Sequence, residues 1–97
     1  MLTSVKQFVN NLIQELNKGI VIESEVMYGD AKLEYALSIE DFMASISVLS
    51  DLTYDYFAGE IESEEIKLFK TKQFTNRQNL FNELREDVLS FSNMKKK

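Results

Sequence analysis

Between residues 20 and 50 apolar and polar positions alternate in three short runs separated by turn-forming pairs, with helical periodicity on either side. With Gly29 and Asp30 as a two-residue turn, Tyr28 falls opposite Ala31, Val26 opposite Leu33, Ser24 opposite Tyr35, Ile22 opposite Leu37 and Ile20 opposite Ile39. With Glu40 and Asp41 as the next turn, Ile39 meets Phe42, Leu37 meets Ala44, Tyr35 meets Ile46 and Leu33 meets Val48. Both registers gather the large apolar residues on one face, so the pattern predicts strands over about 20–28, 32–39 and 42–50.

A first helix, about 3–18, follows from Val5, Phe8, Val9, Leu12, Ile13 and Leu16 at spacings of three and four. Thr3 or Ser4 is its expected cap, and Gly19 its left-handed exit. A second helix, about 75–92, has Leu80, Phe81, Leu84, Val88 and Phe91 as its apolar stripe and Glu83, Arg85, Glu86 and Asp87 as its wet side. Thr75-Asn76-Arg77-Gln78 fits a capping box in front of it.

A fourth strand is expected over about 53–61, in one of two registers. A tight turn at Ser50-Asp51 turns Asp55 toward the helices, whereas a longer or bulged connection turns Tyr54 and Tyr56 inward. Gly59 reads as a bend. Residues 62–73 give no clear period, and Ile66, Leu68 and Phe69 fit either a short helical turn or a strand-like stretch along the edge.

The order helix, strands, helix predicts an α+β fold in one domain over 1–97. It is a two-layer sandwich, a three- to four-stranded antiparallel meander covered on one face by an N-terminal and a C-terminal helix. Composition fits such a core, at 44% hydrophobic and 28% charged residues. With 16 acidic against 11 basic residues the net charge is −5, which opposes nucleic-acid binding and steers basic partners. No membrane partner is expected either. The polar residues interrupting Met1–Leu16 do not read as a signal peptide, and no stretch is long enough to span a bilayer.

Histidine and cysteine are both absent, which removes the commonest general base, the usual zinc ligands and the thiol nucleophile. No catalytic, metal or cofactor site is expected. Glu23 with Glu25, Glu40 with Asp41, and the Asp51, Asp55 and Glu60 set read as solvated carboxylates, the last lacking the glycine and closing glutamate of a calcium loop. Lys95–Lys97 reads as a solubilising tail.

The outward sheet face is the expected working surface. In these registers it carries Val21, Glu23, Glu25 and Met27, then Glu34, Ala36, Ser38 and Glu40, then Met43, Ser45, Ser47 and Leu49. Tyr54 and Tyr56, if outward, are its aromatic anchors; otherwise they belong to the core. A glycine after the first helix (Gly19) and a Phe-Thr-x-x-x-x-Leu lead into the last (Phe74, Thr75, Leu80) give a whole-chain order that resembles small α/β immunity proteins of bacterial toxin systems, such as the TriTu-like group. That resemblance implies a cytoplasmic, non-enzymatic antidote that binds a cognate toxin and blocks its active or docking surface. It supplies no diagnostic binding residue. The residues themselves offer Tyr54, Tyr56, Glu23, Glu25 and Glu34 as contacts to a basic partner; the resemblance implies that this partner is a basic toxin domain and adds Glu60 and Glu62 as contacts, with the acidic stretch extending to Glu65. The rival expectations are a homodimer through the open face or the 20–28 edge, and a small ligand-binding domain with a pocket ringed by Asp55 and the tyrosines.

Overall fold

The structure, a computed structural model, describes residues 2–62 and 66–94, with residues 66 and 67 described through their backbone. Helix α1 (Leu2–Leu16) leads into five strands, β1 (Val21–Tyr28), β2 (Lys32–Ile39), β3 (Phe42–Leu49), β4 (Thr53–Glu60) and β5 (Ile66–Gln73), followed by α2 (Arg77–Ser92). The strands form one antiparallel meander in the order β1-β2-β3-β4-β5. The α+β class is therefore as expected, but the sheet has five strands rather than three or four, and 66–73 is its edge strand.

The odd strand count sets how the helices lie. In a five-stranded meander β1 and β5 point the same way, so a helix entering β1 and another leaving β5 run parallel on a shared face. Their contacts rise together along both chains. Arg77 donates to Ser4 Oγ, the Phe8 and Phe81 rings stack 4.2 Å apart, and Arg85 reaches Glu15. Beneath them lies the core: Val5, Val9 and Leu12 of α1, Leu80, Leu84, Val88 and Phe91 of α2, and the inward rows of β2, β3 and β4.

The β2–β3 register is the expected one throughout, from Ile39↔Phe42 to Leu33↔Val48. The β1–β2 register is half so. Gly29, Asp30 and Ala31 form a three-residue loop, Gly29 in the left-handed region at φ 57°, and Tyr28 pairs with Lys32 rather than Ala31. A one-residue slip exchanges the two faces of a strand. Met27 therefore packs opposite Leu33, Val26 turns outward opposite Glu34, and Glu25 turns inward opposite Tyr35. An irregularity at Glu23 then restores the expected Ile22↔Leu37 pair.

The β3–β4 connection is the longer alternative. Leu52 holds φ 69° and donates its N–H to the Leu49 carbonyl, while Asp51 Oδ1 accepts from the Thr53 N–H. The left-handed backbone is unfavourable for leucine, and burial of its side chain offsets that cost. This loop turns Tyr54 and Tyr56 inward and Asp55 outward.

At the helix ends two expectations are corrected. Residues Thr3 and Ser4 lie within the first turn of α1 rather than before it. Asn76, not Thr75, caps α2 by accepting from Asn79 N–H at 2.9 Å, and Gln78 bonds to Asn82 instead of reaching back. Asn17 takes the left-handed position directly after α1, and Gly19 takes a second one at φ 89° that turns the chain into β1.

Candidate docking surface

Two groups of polar residues stand out, one on each face of the sheet. On the covered face Tyr54 and Tyr56 are 0% and 1% exposed, so they are not the surface anchors that the outward register required. The Tyr54 hydroxyl donates to Asp87 Oδ2 at 2.7 Å, and the Tyr56 hydroxyl donates to the Asp87 backbone carbonyl. Lys70 of β5 bonds both Asp87, at 2.8 Å, and Glu83, and Lys72 reaches Glu83 at 3.1 Å. Asp87 is only 6% exposed. The expected wet side of α2 is thus partly wrong: β5 extends the sheet beneath that flank and presents lysines to Glu83 and Asp87.

Burial first, then the Asp87 charge, pushes the Tyr54 and Tyr56 phenols above their ordinary range. A hydrogen bond from Lys70 is the main reason that the Glu83 carboxyl is held below its usual value. Partial burial works against the charge on Lys70, but the bonds to Asp87 and Glu83 outweigh it and hold that ammonium above its ordinary value. With protons kept on the phenols and charges matched, the cluster ties β4 and β5 to α2. It is a clamp between layers.

Glu25, also expected on the outer face, lies on the helix side. It accepts from Asn10 Nδ2 at 2.8 Å and meets Lys6 at 3.4 Å, and Asn10 is the first cause of its lowered pKa. Tyr35 completes the group by donating to the Lys6 carbonyl and accepting from Asn10. Glu60 shares a row with buried Phe42 at the sheet end, and Glu62 is exposed in the turn after β4. Glu64 and Glu65, and the lysine tail, lie outside the described residues.

Among the described residues no helix lies over the other face of the sheet. Strand alternation fills it with the outward rows. One row reads Val26, Glu34, Ser47, Asp55, Thr71; the next reads Ser24, Ala36, Ser45, Phe57, Phe69. Small hydroxyl side chains run down the centre and apolar residues stand at the two sides. Val21 (52% exposed) and Tyr28 (53%) lie on β1, and Phe69 (66%) lies on β5 beside half-buried Phe57. Polar contacts here join neighbours on the same face: Glu23 accepts from Ser38, Asp55 from Thr71 at 2.5 Å, and Lys32 approaches Glu34 at 3.7 Å. Hydrogen bonding to Glu34 and its charge raise the Tyr28 pKa.

Of the expected contact residues, then, the open face holds Glu23 and Glu34. Sequence reasoning missed Phe57 and Phe69, although inward Tyr54 and Tyr56 require Phe57 to point outward. Tyr54 and Tyr56 are buried on the helix side and Asp55 points to the open face, where a shallow trough has both Asp55 and Tyr56 in its lining. Among the described residues no helix is long and apolar enough to cross a membrane. The chain matches no protein-family model, and neither the curated proteins nor the solved structures contain a significant match.

Proposed function

We propose that this chain is a non-catalytic protein-binding module that docks a basic partner on the open face of its sheet. The supporting observation is the uncovered face itself, where Val21, Val26, Tyr28 and Phe69 stand exposed around Glu23, Glu34 and Asp55. Apolar surface gathered on one side of a small chain marks an interaction site. Carboxylates beside it select a positively charged partner and speed the encounter. They also oppose a second copy, since Lys32 is the one basic residue among the described outward positions and the chain carries −5.

The resemblance to immunity proteins gives this module a specific form, an antidote that covers the active or docking surface of a cognate toxin in the cytoplasm. Affinity capture from the source cells tests it, using the native chain and a Glu23→Lys/Glu34→Lys variant as parallel baits. A single stoichiometric basic protein, lost with the variant and encoded beside this chain, is the expected result. Equal recovery with both baits would move the interface elsewhere.

One observation favours a second reading. Phe69, with Leu68 also exposed, lies on edge strand β5, whose outer backbone groups have no neighbouring strand among the described residues. Self-association through that edge would show as a concentration-dependent mass in light scattering.

A further inference from the structure

A shallow trough of about 490 Å³ crosses the open face, lined by Lys32, Glu34, Ser45, Ser47, Asp55, Tyr56, Phe57 and Phe69. We infer that this trough is the seat of an arginine side chain from the docked partner, with its guanidinium over Ser47 between Glu34 and Asp55 and one flat face against Phe57 and Phe69. The inference rests on the open-face reading and names the anchor within it.

Register builds the seat. Glu34, Ser47 and Asp55 occupy one row across three adjacent strands. With strands about 4.8 Å apart, the two carboxylate-bearing backbones stand about 10 Å from each other, and the serine between them is too short to fill the gap. In the adjoining row Ser45 is equally small, and Phe57 and Phe69 stand side by side. A floor of serines with carboxylates on two sides and aromatic rings on a third has room for a flat cation.

The carboxylates retain capacity for it. A carboxylate offers about four acceptor positions. Asp55 uses one oxygen for Thr71, and Glu34 meets Lys32 at 3.7 Å and the Tyr28 hydroxyl. A partly exposed pair such as Lys32–Glu34 holds its geometry weakly and yields to a second cation. Arginine suits the seat better than lysine, because its planar, weakly hydrated fork bonds two carboxylates at once and stacks on aromatic faces.

The test is a ¹⁵N–¹H NMR titration of the whole chain with the capped tripeptide acetyl-Gly-Arg-Gly-amide, compared with peptides carrying citrulline or lysine in place of arginine. The arginine peptide is expected to move the amides of Ser47, Asp55, Phe57 and Phe69 in a saturating manner. It should bind about tenfold more tightly than the uncharged citrulline peptide and more tightly than the lysine peptide. Asp55→Asn should remove the preference for arginine over citrulline, and Phe69→Ala the preference for arginine over lysine. Shifts that are absent, equal for arginine and citrulline, or centred on other residues would overturn the arginine seat. The capture experiment separates this failure from that of the broader reading: partner loss with Glu23→Lys/Glu34→Lys, without peptide selectivity, sinks only the seat, whereas undiminished capture sinks the open face.

Discussion

The two faces of this sheet are cut from the same strands and handle their polar groups in opposite ways. On the covered face polar side chains bond across layers: Tyr35 to α1 through Lys6 and Asn10, Tyr54 and Lys70 to α2 through Asp87. Among the described residues no buried side-chain nitrogen or oxygen lacks a partner. On the open face they bond sideways within one layer, as Glu23 does to Ser38 and Asp55 to Thr71. A bond between layers fixes the fold. A bond within a layer holds a surface in shape and leaves it available to something else.

That contrast can be broken most sharply with paired substitutions. Tyr54→Ala removes a fully buried ring and its bond to Asp87, and should cost about 3–5 kcal/mol in urea denaturation. Phe69→Ala, on the open face, should change stability by less than about 0.5 kcal/mol. A large loss from Phe69→Ala would mean that β5 is held by its outer face, and the distinction between the faces would fail.

The clamp on α2 gives the next effect. Asp87→Ala leaves the Tyr54 hydroxyl without its acceptor and the Lys70 ammonium with Glu83 in place of two carboxylates, and should cost about 2–4 kcal/mol, discounted for the partial exposure of Lys70. Glu86→Ala, one residue earlier and exposed, should be close to neutral when measured the same way. Tyr54→Phe combined with Asp87→Ala should lose less than the sum of the single changes, by about 0.5–3 kcal/mol, because both remove one bond.

Charge reversal separates recognition from folding. Glu34→Lys with Asp55→Lys should weaken partner capture about tenfold or more, and calorimetry should find the melting temperature moved by only a few degrees.

The pH response is the gentlest of these effects, and the covered side carries these parts of it. Glu83 and Glu25 titrate below their usual 4.5, so their contribution is complete above that value and is lost as pH falls through the lowered folded values. The buried phenols behave in the opposite sense. Their folded pKa is raised, so their contribution is complete below about pH 10 and is lost as pH rises further. Glu83→Gln should flatten the acid limb of a stability–pH curve and leave the alkaline limb in place.

Period alone carried β2 and β3, because their inward positions all meet apolar core and their turns are short. It carried only half of β1: the identity of the inward residues between 24 and 28 depends on a three-residue loop and on a bulge at Glu23, neither of which has a strong local signal. It left β5 open between a helical turn and an edge strand for a physical reason. The inward positions Lys70 and Lys72 face the acidic flank of α2 instead of the core, so the strand looks polar on both sides. Asp87 was misplaced for the same reason, since a carboxylate reads as solvent-facing where the strand that brings it a lysine is left open. Of the proposed docking surface, Glu23 and Glu34 were legible. The facing of Tyr54 and Tyr56, offered as contacts only if outward, stayed open because it depends on the left-handed Leu52.

Carboxyl footprinting of the free chain and of its captured complex tests the central claim most directly. Labelling solvent-exposed acids with a carbodiimide and glycinamide, then mapping them by mass spectrometry, reads which face a partner covers. On this account Glu23, Glu34 and Asp55 lose reactivity in the complex, while Glu15 and Glu86 on the helix layer react as they do in the free chain. Protection of Glu15 and Glu86 with unchanged labelling of Glu34 and Asp55 would place the partner on the helices and contradict it.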